Sequence, residues 1–138
     1  MDKIRRFGVS IEESLAGRFD EHIRGEGYGS RSEALRDLIR EHLVLDQLSL
    51  DGTPAVASLS LVYDHHQREL HQTLNHLQHD HHELIISTLH VHIDHDHCLE
   101  VIILRGPNTQ IKAVADRLMS TRGVKHGKLT LTTSGEYF

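Results

Sequence analysis

From Arg6 onward the chain alternates: Phe7, Val9 and Ile11 fall on one face of an extended stretch, and Arg6, Gly8 and Ser10 on the other. That period of two is the pattern of a half-buried β-strand. No other strand-like stretch lies near it. Ser10 and Glu13 form an S-x-x-E capping pattern, and Leu15, Phe19 and Ile23 then recur every fourth residue, as on one helix face. Gly25 and Gly27 end that helix. A second S-x-x-E pattern, Ser30 to Glu33, opens a helix striped with Ala34, Leu35, Leu38, Ile39 and Leu43. A single strand with both edges bare is not stable. The simplest repair is pairing with the same strand of a second copy.

Two copies joined in this way make a two-stranded ribbon on a base of four helices, the ribbon-helix-helix (βαα) architecture. Its ribbon enters the DNA major groove and its outward side chains meet base edges. The formal net charge of −5 runs mildly against nucleic-acid binding, but distribution matters more than the sum. Lys3, Arg5 and Arg6 cluster at the start. Residues 1–48 are accordingly expected to form a DNA-binding domain. Asp51, Gly52 and Pro54 break structure, so residues 49–54 read as a linker, with linker-like composition from Asp46 onward.

Residues 55–138 read strand, helix, strand, strand, helix, strand. The expected elements are a strand over 55–63, a helix over 65–79 striped with Leu70, Leu74 and Leu77, strands over 84–93 and 97–104, a helix over 108–121, and a strand over 128–133. The second helix carries Ile111, Val114, Ala115 and Leu118, and Gly123 is expected to end it. The order βαββαβ is ferredoxin-like, with two helices on one face of a four-stranded antiparallel sheet. The whole chain is thus of the α+β class.

Of the 14 histidines in the chain, eleven lie between His65 and His97. Histidine is the commonest metal ligand. His90 and His92 are two apart on an expected strand, so both rings leave one face, while Leu89, Val91 and Ile93 take the other. Cys98, the only cysteine, comes just after a tight turn on the neighbouring strand, which brings its sulfur toward the two imidazoles. His79, at the end of the His-rich helix, is the candidate fourth ligand, and supply from another subunit would tie the metal to assembly. Three nitrogens and one sulfur suit tetrahedral zinc or square-planar nickel or copper(II), and spacing does not choose among them. Glu100 shares the strand face of Cys98 and is placed to orient a ligand imidazole.

The lone cysteine excludes an intramolecular disulfide framework and fits a reducing compartment. No stretch approaches the ~20 apolar residues that cross a bilayer, and residues 1–14 lack the apolar run of a signal peptide. A cytoplasmic protein without membrane contact is expected. A His-rich storage protein would not need residues 4–45. A catalytic zinc site usually keeps an open position and a nearby base, and neither stands out, so no enzyme is expected.

The assembled residues resemble the NikR family of nickel-responsive repressors over nearly the whole chain. The segments that carry the likeness are Gly27-Tyr28, Arg31-Ser32-Glu33-Ala34, Arg36-Asp37, Leu89-His90-Val91-His92, Cys98-Leu99-Glu100 and Arg122-Gly123-Val124-Lys125-His126-Gly127. The resemblance implies a homotetramer, a dimer of dimers, with ribbon-helix-helix pairs flanking a core of ACT-type βαββαβ domains. It implies one Ni(II) per subunit, held square-planar by His90, His92 and Cys98 of one subunit and His79 of another. It implies repression of nickel-uptake genes through operator double-stranded DNA. By the same resemblance Arg6, Gly8 and Ser10 face the groove, with Ser30, Arg31 and Ser32 as further DNA contacts. Glu33 and Asp37 would hold a secondary cation, and Tyr63 and Gln78 would order the nickel site beside Glu100. Two departures stand out. Gly8 replaces a residue that usually bears a hydroxyl, which puts the DNA sequence read in doubt. His65, His66, His71, His76, His81, His82, His95 and His97 exceed what one four-ligand site needs, and are expected to be a solvated helix and turn rather than further sites.

Overall fold

The computed structural model describes residues 2–136. The chain divides into two compact units, one ending at His42 and one beginning at Leu43.

In the first unit, residues 2–12 form neither helix nor strand and are exposed throughout. The strand expected over 6–11 therefore has no partner within one chain. Helix α1 (Glu13–Gly25) begins with Glu12 as its N-cap and has no side-chain capping bond, so Ser10 does not cap it. Its C-terminus obeys the glycine rule. The N–H of Gly27 (φ +83°) donates to the carbonyl of Arg24 and that of Tyr28 to Ile23, the paired bonds of a Schellman motif. Helix α2 (Arg31–Leu48) does carry its expected cap, with the Glu33 N–H donating to Ser30 Oγ at 3.2 Å. Among the described residues of this unit only Ile23 and Ala34 are buried apolar side chains. Phe7, Val9, Leu15, Leu38 and Ile39 are exposed.

The second unit is a four-stranded antiparallel sheet in the order β2-β3-β1-β4. Its elements are β1 (Pro54–Asp64), α3 (Arg68–Asp80), β2 (Ile85–His92), β3 (His97–Pro107), α4 (Asn108–Met119) and β4 (Val124–Thr132). This is the expected βαββαβ arrangement. Alternation on β1 and β3 sends Leu59, Leu61, Tyr63, Ile102 and Leu104 to one face, where Leu70 and Leu74 of α3 and Ile111, Val114, Ala115 and Leu118 of α4 cover them. On the other face Leu89, Val91 and Ile93 remain exposed. The pairing of β2 with β3 shifts by one residue between Ile85 and Ser87, a bulge that admits Ile86 as an extra residue.

Three expectations change here. Residues 46–54 are not a loose linker. Helix α2 runs to Leu48, and the fully buried Asn108 ties down the residues between that helix and β1. Its Nδ2 donates to the carbonyls of Leu48 and Leu50, and its Oδ1 accepts the Gly52 N–H at 2.8 Å. Helix α3 starts at Arg68 rather than His65, because Asp64 Oδ1 takes the His66 N–H at 2.9 Å and holds a turn first. Helix α4 is capped by Ser120 in an ordinary helical conformation. Gly123 lies beyond that cap, where a φ of +104° and the side chains of Gln67 and Leu70 leave no room for a Cβ.

Candidate metal centre

Strand register assembles the candidate ligands. Tyr63 of β1, Cys98 of β3 and His92 of β2 form one cross-strand row. Two residues along, Leu61, Glu100 and His90 form the next. All six lie on the face that the helices cover. His90 Nδ1 stands 3.9 Å from Cys98 Sγ, and its Nε2 is 3.4 Å from Glu100 Oε1. Cys98 is buried and free.

Glu100 is a fully buried carboxylate, and such a group is tolerated only with good partners. Tyr63 Oη donates to its Oε2 at 2.7 Å and Gln78 Nε2 to its Oε1 at 2.7 Å. Gln78 in turn accepts from Thr88 Oγ1 at 2.8 Å. Burial first, and then the neighbouring Glu100 and Cys98, push the Tyr63 hydroxyl well above its usual pKa. Tyr63 therefore stays a neutral donor. This network braces Glu100, and with it the imidazole of His90, from β1, α3 and β2 together. Glu100 was read from its strand position, and Tyr63 and Gln78 only from the family resemblance. Thr88 was read from neither, because a threonine on a strand carries no signal of its own.

The remaining two candidate ligands, His92 and His79, are not gathered. The His92 ring meets the ring of His65 edge-on at 4.9 Å between centroids. His79, at the end of α3, lies beside His82 at 6.1 Å. His92 and Cys98 are nevertheless direct cross-strand partners. His71 also packs against His90, at 5.4 Å. What the hairpin does bring together is one imidazole, His90, and the Cys98 sulfur, next to the hydrogen-bonded carboxyl of Glu100. That set suits a borderline-soft transition metal such as nickel, copper or zinc rather than calcium or magnesium.

The other candidate residues lie in the first unit. Arg6, Gly8 and Ser10 are exposed in the unpaired segment, and Ser30 caps α2. Ser32 is exposed in the first turn of α2. Arg31 makes a two-pronged ion pair with Asp20, at 2.7 and 2.6 Å, and that contact holds the Asp20 carboxyl below its usual pKa. Asp37 accepts from Tyr28 Oη at 2.8 Å and from Arg40 at 3.3 Å. Glu33 is exposed one turn earlier. The structure does not bring these two carboxylates together with a third donor.

Comparison with known proteins bears on the family. Residues 56–132 match the family described as the NikR C terminal nickel binding domain. Residues 5–46 match the ribbon-helix-helix protein, copG family. A Solibacter usitatus protein is 50% identical over 98% of this chain and 97% of its own length. A Geobacter sulfurreducens protein is 49% identical over 99% and 98%, and one from Caldanaerobacter subterraneus subsp. tengcongensis is 46% identical over 99% and 88%. Each is named "Putative nickel-responsive regulator". In fold alone, an uncharacterized protein of Thermotoga maritima is similar, with a TM-score of 0.51 and 19% identity over 56% of this chain and 96% of that one. With a ribbon-helix-helix module ahead of a nickel-binding domain, and near-full-length relatives at this identity, the chain belongs to the NikR family of nickel-responsive regulators.

Proposed function

We propose that the protein represses nickel-uptake genes by binding operator DNA when Ni(II) is present. The observation that carries this reading is the apposition of His90 and Cys98, braced by buried Glu100, on a chain that also bears a DNA-binding module. In this reading His90, His92 and Cys98 of one subunit and His79 of another hold one Ni(II) per subunit. When bound, nickel supplies a four-ligand cross-link between two polypeptides.

Several features support a homotetramer arranged as a dimer of dimers. Phe7, Val9 and Ile11 lie exposed on a segment that lacks a strand partner. Leu89, Val91 and Ile93 lie exposed on the open sheet face. Both are apolar surfaces that a second copy of the same element would bury. Residues 1–48 then serve as the DNA-binding domain, with Arg6, Gly8 and Ser10 on the groove side of the paired ribbon and Ser30, Arg31 and Ser32 beside it. Glu33 and Asp37 are proposed as carboxylates for a secondary cation. Residues 55–138 form the metal-binding and tetramerisation domain. No helix among the described residues is long and apolar enough to cross a membrane, which fits a cytoplasmic regulator.

Two paired modules in one assembly reach two operator half-sites together, and bridging raises the effective concentration of the second. Differential affinity is required, because a ligand that binds both states equally shifts nothing. The coupling is reciprocal. Titrating nickel into the protein with and without operator tests it, and the operator is expected to tighten nickel binding. Equal affinity in both titrations would defeat the mechanism. Cys98→Ala is expected to abolish the nickel-dependent gel shift while leaving the assembly intact by light scattering. Arg6→Ala is expected to abolish operator binding and leave the thiolate charge-transfer band unchanged.

A further inference from the structure

We propose that each chain carries a second metal site, formed by His66, His95 and Asp96, which takes a hydrated divalent transition metal of the zinc type. None of these residues belongs to the set of His79, His90, His92 and Cys98, so the proposal does not rest on the nickel reading.

The site lies where β1 turns into α3, beside the turn that joins β2 to β3. One donor atom from each of the three residues lies within 4.8 Å of the others. His66 Nε2 and Asp96 Oδ1 are 3.4 Å apart. Two donors that each stand ~2.1 Å from a tetrahedral ion are separated by roughly 3.4 Å. The ring of His95 is 5.4 Å from that of His66. Two imidazoles and a carboxylate, with water in the remaining position, form a familiar zinc donor set. All three residues are exposed, so an ion exchanges freely with solvent, unlike one held by buried Cys98.

An ion pair between His66 and Asp96 would by itself account for their approach, but not for the way both loops are fixed. The His65 N–H donates to the carbonyl of Asp96 at 3.1 Å, which fastens the corner to the turn. Asp64 Oδ1 fixes the backbone of His66 at 2.9 Å. Asp94 Oδ1 accepts the N–H groups of Asp96 and His97, both at 2.8 Å, and so sets the turn that presents His95 and Asp96. A second donor triad, Asp64, His65 and His66, overlaps the first at His66. The buried Nδ1 of His65 is the one buried side-chain polar atom among the described residues without a hydrogen-bond partner. The corner therefore holds more donor capacity than protein hydrogen bonds use, which supports a ligand there. Asp64 already serves the His66 backbone, which favours His95 and Asp96 as the co-ligands. The excess histidines of the turn thus become a site rather than a solvated surface.

Cobalt(II) added alone to the full-length protein separates the two sites, because only ligation by Cys98 gives an intense thiolate charge-transfer band. In Cys98→Ser, cobalt is expected to keep weak visible bands without charge transfer, and added zinc should erase them. In the double variant His66→Ala/His95→Ala, one equivalent of cobalt should be lost per chain while the charge-transfer band survives. Asp96→Asn should weaken the zinc competition by about tenfold or more. These side chains are exposed, so the variants are expected to keep the circular dichroism of the parent. If the double variant binds as many ions as the parent, with the same spectrum, the second site is refuted. A missing charge-transfer band in the parent would instead count against the nickel reading alone.

Discussion

From Leu43 onward the chain seals Leu59, Leu61, Ile102, Ile111 and Leu118 away from water, whereas up to His42 it buries only Ile23 and Ala34 among its described apolar side chains. Both halves obey the same patterning rules. The difference is that the βαββαβ half contains its own sheet partners and two covering helices, while the first half offers an extended segment that forms no strand within one chain and two helices with an open apolar face. An unfilled apolar face of this kind marks an interaction surface, and in the proposed assembly a second copy of the same element covers it. Function divides along the same line. The half that closes on itself holds the buried carboxyl of Glu100 and the buried thiol of Cys98, and the half that stays open is the one that matches the ribbon-helix-helix family.

Changes that treat the halves differently test this contrast. Ile102→Ala should be the most damaging, at about 2–5 kcal/mol for a buried aliphatic truncation, read as a lower urea midpoint at matched protein concentration. A cost near zero would break the picture of a closed core. Glu100→Ala comes next. It strands the buried Tyr63 Oη, at roughly 1–3 kcal/mol for an unsatisfied buried group, and frees the half-buried Gln78 Nε2 at a smaller cost. It should also weaken nickel binding, since His90 loses its brace. Val9→Asp should cost about 2 kcal/mol per copy by exposing a ribbon contact, abolish operator binding and spare the nickel spectrum. In the parent, by contrast, melting of the first half should shift upward with protein concentration. Ser30→Ala should cost ~1 kcal/mol through the lost cap of α2, read in the same melting step.

The smallest effect concerns pH. Arg31 holds the Asp20 carboxyl below its usual range, so the pair stabilises the fold above the unfolded carboxylate pKa of about 4. That contribution is lost as pH falls through the lower folded value. Both side chains reach solvent, so Asp20→Asn should only flatten the acid limb of the stability curve slightly.

In the βαββαβ half the periodic elements were legible because burial tracks period, whereas the alternation over 6–11 forms no strand within one chain and stays exposed. The stripe of Ile111, Val114, Ala115 and Leu118 is buried as read, and the spacing of His90, His92 and Cys98 places them on one sheet face. Turn-level detail was harder. Ser10 matches a capping pattern, yet the helix starts at Glu13 without it, because sequence does not say which of several polar residues adopts the cap conformation. The stretch 46–54 has the composition of a linker, but its order depends on Asn108, more than fifty residues away. Long-range polar staples of this kind leave no periodic trace. Nor does sequence reveal that His92 packs on His65, or that His66, His95 and Asp96 converge.

The extra residue at Ile86 sets the phase of the rest of β2, from Ser87 to His92. A strand turns over when its count changes by one. Deleting a single residue just upstream of His90, with the downstream pairing forced to shift with it, would swing both imidazoles to the sheet's far surface and carry Leu89 and Val91 inward. One codon's worth of chain therefore separates a hairpin whose helix-covered face carries two imidazoles in register with a thiol from one that carries hydrocarbon there, so the phase of this edge strand decides whether the candidate donors and Cys98 share a face.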